Sequence, residues 1–489
     1  MVEGDVTLSY TWLAERSRAL AHDLRGRGIA VGDRVLISLH NSRWSPVAYL
    51  GVWLAGGTPV AVNPALTVVE LKYVVADATP RFYIVDSEVE DDGRNRIAEA
   101  MPADSTTWHY HTGDETSEHS LASLRGINTD DSPDRIHLSK TALILFTSGT
   151  TGHPKGVELE HDNLVWAMGA WNELVGVCDD DVVYAGLPLF HIYALVIIFV
   201  CSAAVGARII LAQGFPFPKF IDDLQRHKVT IFLSVPPVFE ALATDRWGTA
   251  PAQFASLRLA VSAAAPLSQE TYRKASRVLG DPAFYEGYGI TETASIVSFG
   301  PLDAPHRVGS CGLPAPGVSI RIVDETGREC PQGVSGEIWI HSPGTMRGYR
   351  NNPEATAAVL TDGWYHSGDI GYLDADNYLF ITDRLKDVLF VAGANVYPRE
   401  VEEAIATCPG VDRTAVVRMK YPATGEAPCA FVVRTPGSNL STVALLNHLK
   451  SHLAAYKLPK RVEFVDDIPT SPSGKVLRRE LRLELERRQ

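Results

Sequence analysis

The chain has 489 residues, too many for one ordinary domain and, by length alone, enough for about three domain-sized units. With 45% hydrophobic and 21% charged residues and a mean hydropathy near zero, it has the composition of a folded globular protein that buries large cores. Its formal net charge of −13 excludes a general affinity for nucleic acid or anionic membrane, which both need clustered Lys and Arg, but leaves room for a local basic groove around a polyphosphate.

In chain order, the N-terminal "MVEGDVTLSYTW" is acidic and lacks the basic-then-apolar layout of a signal peptide. Segment 10–28 carries apolar residues at helical spacing and ends in glycine. "RVLISL" then reads as a buried strand, "SPVAYLGVWLAGG" as a helix and "TPVAVN" as another strand. The alternation recurs at "RFYIVD", at "KVTIFLSV" followed by a helix after Pro236 and Pro237, and at "LRLAVSAA". It predicts βαβ units, with parallel sheets covered on both faces. The longest uncharged apolar run, residues 192–207, is shorter than the ~20 residues that span a bilayer and predicts a buried helix. Cys178, Cys201, Cys311, Cys330, Cys408 and Cys429 form no C-x-x-C pair, which fits reduced thiols and a cytoplasmic chain.

From about residue 300 the rhythm changes. "SIRIVDETGREC", "GEIWIHSP" and "GYLDADNYLFITDR" are short strands with turn residues, predicting a small antiparallel or barrel-like section. "PREVEEAIATCPG" (helix), "RTAVVRM" and "APCAFVVRT" (strands) and "VALLNHLKSHLAAY" (helix) then make a compact α+β unit. The charged stretch 382–387 has nothing to bury and marks the domain boundary. The expected fold class is therefore α/β. A large N-terminal domain of parallel-sheet αβ layers (1–383), with a β-barrel-like section, precedes a hinge at 384–387 and a small mobile α+β domain at 388–489.

"LILFTSGTTGHPKG" runs an apolar strand into Thr, Ser and Gly, where backbone N–H groups, hydroxyls and the charge of Lys155 can meet a polyanion. It is not a Walker A loop, since Lys155 follows Pro154 and precedes Gly156. A helix is expected to start near Asp162 as N-cap. Four further stretches carry chemistry: "YEGYGITETA" (285–294), "WYHSGDIGYLD" (364–374), "TDRLKDVLFVAGANVYPREVE" (382–402) and "PTSPSGKVLRREL" (469–481). Alone, Asp369 reads as a turn residue and Lys475 as a solvated lysine. All five stretches together, in this order and over nearly the whole chain, resemble the adenylate-forming superfamily of acyl-CoA synthetases, coumarate–CoA ligases, luciferases and peptide-synthetase adenylation domains.

The resemblance implies an ATP-dependent acyl-CoA synthetase that uses ATP, Mg²⁺ and CoA. It implies that Thr147, Ser148, Gly149, Thr150, Thr151 and Lys155 hold the β- and γ-phosphates. Ala264, Ala265 and Pro266 would flank the adenine, and Gly287 and Tyr288 would line its site with Tyr288 stacking. Thr291 would bond the α-phosphate and Glu292 help hold the metal. Asp369 would accept the ribose hydroxyls with help from Arg384, and Lys475 would bridge the substrate carboxylate and the α-phosphate. Gly393 would line the pantetheine tunnel and Lys386 occupy the hinge.

"LPLFHIYAL" resembles the acid-pocket entry of these ligases, with His191 bordering the carboxylate. The expected lining (Leu195, Val196, Phe199, Val235, Val238, Ala263, Gly287 and Ile296) has no Arg or Lys for a second carboxylate and no Asp for an ammonium. It predicts an apolar monocarboxylate, whether fatty, alicyclic or aromatic. Two departures bear on this. Phe390 stands where coumarate–CoA ligases and luciferases carry a Lys, and the chain opens almost directly at "LSYTWLAERS", where members usually carry a further segment. An acyl-adenylating enzyme that loads a carrier-protein thiol or runs one half-reaction, and a nucleotide-binding regulator, stay open as alternatives. "DADNYLFITD" begins like a calcium loop but has Tyr378 and Leu379 where the motif needs other residues, so it reads as a hairpin turn. His109, His111 and His119 lack metal spacing and read as decoration of a polar loop.

Overall fold

A computed structural model describes residues 1–86, 99–100, 108–112, 120–124, 137–147, 154–244, 251–280, 283–303, 306–391, 394–422, 424–471 and 475–487. The apolar runs Arg34–Ser38, Thr58–Ala61 and Phe82–Val85 pair in parallel at the heart of a seven-stranded sheet. Val35, Leu36 and Ile37 are all buried, as expected where both faces of a strand are covered. A nine-stranded sheet has a parallel core, in spatial order Ala283–Tyr288, Leu259–Ser262, Ile231–Ser234, Val182–Ala185 and Arg208–Leu211. An antiparallel section of five strands spans Ser319–Val323 to Leu379–Arg384, with a turn at Asn377 (φ 65°) in the calcium-like stretch. The fold class is the α/β arrangement that the alternation predicts. One large hydrophobic core draws on residues 1–379, and two others lie wholly within 389–485 around a further five-stranded sheet.

A strand not anticipated from the sequence, Lys155–Glu160 ("KGVELE"), runs antiparallel to Thr141–Thr147. Three local expectations are corrected. The helix that follows starts at His161 with Glu160 as N-cap, because Asn163 Oδ1 accepts the Glu160 N–H at 2.7 Å; Asp162 is already inside it. His109 and His111 lie on an edge strand, Trp108–His111, and not on a loop. His111 and its neighbour Tyr110 point to opposite faces of this strand and are both buried, so both faces are covered there; His119 lies outside the described residues. The apolar run 192–207 is a buried helix, but Tyr193–Val200 is a π-helix that continues into Cys201–Ala204. Among the described residues no helix is long and apolar enough to cross a membrane.

Candidate active site

The parallel strands of the nine-stranded sheet end at a cleft, as open α/β sheets provide at their carboxyl edge. The cavity encloses about 590 Å³ including its open mouth. Its lining comes from distant segments: His191 and Ile192 just before the π-helix, Tyr193 and Ile197 within it, Ala263 and Ala264 after one strand, and Gly287 to Thr291 at and beyond the end of the next. Trp171, Leu174, Ser295, Ile296, Ser298 and Phe299 complete the walls, and Lys475 enters from the C-terminal unit. Ala264 (φ 70°), Ala294 (φ 52°) and Ser295 (φ 75°) hold left-handed backbone, a strained conformation that clusters at functional sites.

Sheet register brings Asp369 and Arg384 together. The two motifs occupy the arms of one hairpin, and their Cα atoms are direct cross-strand partners. Arg384 Nε lies 2.9 Å from Asp369 Oδ1, and the Tyr288 hydroxyl donates to Asp369 Oδ2 at 2.6 Å. Burial, then the Asp369 charge, pushes the Tyr288 phenol well above its ordinary value, so it stays a donor. Beneath this turn Glu337 accepts the Gly368 N–H (3.1 Å) and the Trp339 indole N–H (2.9 Å), a supporting role.

A second cluster joins the base of the glycine-rich hairpin to Glu292. Gly348–Tyr349 pairs with Lys155–Glu160 with Tyr349 opposite Val157, so Lys155 is two residues along the neighbouring strand. The Lys155 ammonium sits 4.9 Å from the Tyr349 ring centroid, and the Tyr349 hydroxyl donates to Glu292 Oε1 at 3.0 Å. Tyr365 lies behind, its hydroxyl 3.5 Å from that of Tyr349. Neither tyrosine is distinctive in sequence; only strand pairing reveals them. Glu292 Oε2 has no hydrogen-bond donor among the described residues, so one carboxylate oxygen is left for a cation. That suits Mg²⁺, which takes one or two carboxylates plus substrate phosphate oxygens rather than an all-protein cage.

Two bases that line the cavity, His191 and Lys475, differ in charge. Burial, reinforced by the Lys475 ammonium, lowers His191 to about 4, so its imidazole is neutral at pH 7. Lys475 is lowered to about 8 by burial and then by Arg384, against the pull of Asp369 and Glu292. It is therefore the positive charge of this cavity at neutral pH.

Of the expected acid-pocket residues, His191, Ala263, Gly287 and Ile296 line this cavity, and Val235 lines a smaller neighbour that shares His191. Leu195, Val196, Phe199 and Val238 line neither and are buried in the core. The i→i+5 winding of Tyr193–Val200 brings Tyr193 and Ile197 to the cavity instead. The Tyr193 hydroxyl and Ser298 Oγ belong to lining residues, are buried and have no hydrogen-bond partner among the described residues. Ala265 is half-buried and Pro266 exposed at the turn after Ala264, and Thr147 ends its strand. Lys386 is exposed, next to buried Asp387. Ser148, Gly149, Thr150, Thr151 and Gly393 lie outside the described residues.

Comparison with known proteins identifies the class. The chain superposes on the ATP-bound structure of MatB from Rhodopseudomonas palustris with a TM-score of 0.89 and 32% identity, covering 99% of this chain and 95% of that one. The AMP-binding enzyme family matches residues 1–350 and the AMP-binding enzyme C-terminal domain matches 400–475, and the chain belongs to this family. Two relatives are the 4-coumarate–CoA ligase 2 of Nicotiana tabacum, 34% identical over 98% of this chain and 89% of its own length, and a long-chain-fatty-acid–CoA ligase of Yersinia pestis, 35% identical over 98% and 90%. The protein is an acid–thiol ligase, and its family membership implies ATP and CoA as reactants.

Proposed function

We propose that the chain activates an apolar monocarboxylic acid, whether fatty, alicyclic or aromatic, and transfers it to CoA. The acid's carboxylate oxygen attacks the α-phosphorus of ATP, forming acyl-AMP and releasing pyrophosphate. The CoA thiol then loses its proton and attacks the acyl carbon, forming the thioester and releasing AMP. The observation that carries this reading is Lys475, which reaches from the C-terminal unit into the cavity lined by His191 and Thr291. A charged Lys475 there would stabilise negative charge developing between the carboxylate and the α-phosphate. His191, being neutral, would border the acid and leave that charge to Lys475.

In the same reading Asp369, steadied by Tyr288 and Arg384, accepts the ribose hydroxyls, and Lys155 meets the terminal phosphates. Glu292 would hold Mg²⁺, which when bound would neutralise phosphate charge. The separation of the cores at 379 and 389 supports a large domain of 1–383, a hinge at 384–387 around Lys386, and a small domain of 388–489. The apolar walls of Trp171, Leu174, Ile192, Ile197 and Phe299 support a largely apolar acid. The hydroxyls of Tyr193 and Ser298, without a partner among the described residues, extend this to an acid with one hydrogen-bonding group on its tail.

The test is ATP–pyrophosphate exchange across a panel of fatty, alicyclic and aromatic acids, pairing each hydroxylated acid with its all-carbon counterpart, followed by addition of CoA. Exchange with one group and acyl-CoA formation on adding CoA is expected. No exchange with any acid would sink the adenylation reading, and exchange without acyl-CoA would remove CoA as acceptor.

A further inference from the structure

Helix Pro398–Ala406 of the C-terminal unit starts without a cap of its own. Pro398 has no N–H, and Tyr397 makes no side-chain capping bond. The Arg399 N–H instead donates to Asp383 Oδ2 at 2.9 Å, while Asp383 Oδ1 accepts the Arg384 N–H at 2.8 Å. Asp383 is a buried carboxylate on the other side of the proposed hinge and acts as the missing cap. The Arg399 side chain follows the same direction. Its Nη1 donates to the carbonyl of Ile381, and its charge opposes that of Glu286, a buried carboxylate on the strand leading to Tyr288. Burial raises Glu286 to about 7, and Arg399 is the foremost influence pulling it back. A second bond of Arg399, Nε to Glu403 Oε1 at 3.0 Å, stays within the helix.

The same helix grips the segment that carries Lys475. Both Glu402 oxygens accept from Arg478 Nη2, at 2.8 and 2.9 Å, Oε1 also accepts the Val416 N–H at 2.7 Å, and Arg478 stands three residues after Lys475. Arg482 of the terminal helix pairs with Asp387 at 3.1 Å. A continuous chain of contacts therefore runs from the large-domain groups Ile381 and Asp383, through Arg399 and Glu402, to Arg478 and the segment of Lys475.

We propose that Arg399 is a positioning residue for the adenylation step: by docking this helix on Asp383 and Ile381 it holds Lys475 in the cavity. The inference rests on the proposed two-step reading, in which the small domain turns about Lys386 between the steps. Asp383 and Ile381 precede that hinge and Arg399 follows it, so the turn must break these contacts. A contact present in only one of two arrangements biases the equilibrium toward that arrangement. Arg399 thus favours adenylate formation and opposes the departure that thiolysis requires.

The experiment measures the two half-reactions separately in the full-length chain: ATP–pyrophosphate exchange with the preferred acid, and thioester formation from supplied acyl-AMP and CoA. Arg399→Ala is expected to slow exchange about tenfold, the scale of a lost charge-assisted bond, while thiolysis is unchanged or faster. Arg399→Lys should recover part of the exchange rate, and Asp383→Asn should shift the two steps in the same direction as Arg399→Ala. Glu403→Ala, which removes the acceptor inside the helix, should leave both rates as they are. Equal loss of both half-reactions in Arg399→Ala and Asp383→Asn, or loss of neither, overturns the proposal. A wild-type chain that exchanges with no acid overturns the underlying two-step reading, a result distinct from exchange that Arg399 does not influence.

Discussion

Lys475 and His191 share one cavity but titrate in different ranges, and this gives the first step a defined pH dependence. Lowering Lys475 to about 8 means that its charged form prevails below that pH and is lost above it. His191, lowered to about 4, is neutral throughout the neutral and alkaline range and adds no limb there. The kcat/KM of the acid in pyrophosphate exchange should therefore fall about tenfold per pH unit above pH about 8, since this parameter reports free-enzyme ionisations. Lys475→Arg, which keeps its charge, should remove that alkaline fall even if its plateau is lower. A second residue-scale prediction concerns Tyr349, whose ring faces Lys155 and whose hydroxyl donates to Glu292. Tyr349→Phe keeps the ring and removes the donor. The KM for ATP at limiting Mg²⁺ should rise about tenfold, the scale of one hydrogen bond to a charged group, while the apparent affinity for the acid stays within about twofold. An unchanged ATP dependence would show that Glu292 holds its position without Tyr349.

Turns and strand pairings, more than the long elements, decide what reaches the cavity. The stretch Tyr288 to Ile296 folds back so tightly that a Cβ on Gly289 would lie 1.8 Å from the Ser295 carbonyl oxygen. Gly289→Ala must open this turn and move Thr291 and Glu292 with it. A displacement of this order commonly costs about a hundredfold in rate, whereas overpacking costs only about 1–3 kcal/mol of stability. Pyrophosphate exchange should thus fall at least about a hundredfold while the chain still unfolds cooperatively with a modestly lowered Tm. The same elements explain what could be read from sequence. Continuous apolar runs such as "RVLIS" announce buried parallel strands, and motif residues such as Asp369, Arg384 and Lys475 stand out by order and type. "KGVELE" carries charges at its start and end, and its identity as a strand depends on pairing with Thr141–Thr147. Leu195, Val196, Phe199, Tyr193 and Ile197 belong to one uniformly apolar run, where periodicity cannot say which side faces a cavity and π-winding alters the answer. Tyr349 and Tyr365 are ordinary aromatics until strand register sets them beside Lys155 and Glu292.

At the scale of the whole molecule, the cavity is assembled from two parts with separate cores. Lys475 belongs to the part built from residues 389–485, whereas Thr291, His191 and Asp369 belong to the other. Its place at the cavity is a property of how the parts meet, and the Arg478–Glu402 pair fixes it to the smaller one. If that part turns between steps, Lys475 acts in the first step and is carried away before the second. Lys475→Ala should then abolish formation of acyl-AMP, removing the one lysine that lines the cavity among the described residues. Thiolysis of supplied acyl-AMP by CoA should keep most of its rate, because no group of that step is lost. A single static site in which Lys475 serves both steps predicts a comparable fall in each. Rates for both half-reactions in the same preparation of Lys475→Ala decide between them: loss confined to the first requires the two-arrangement molecule, and equal loss refutes it.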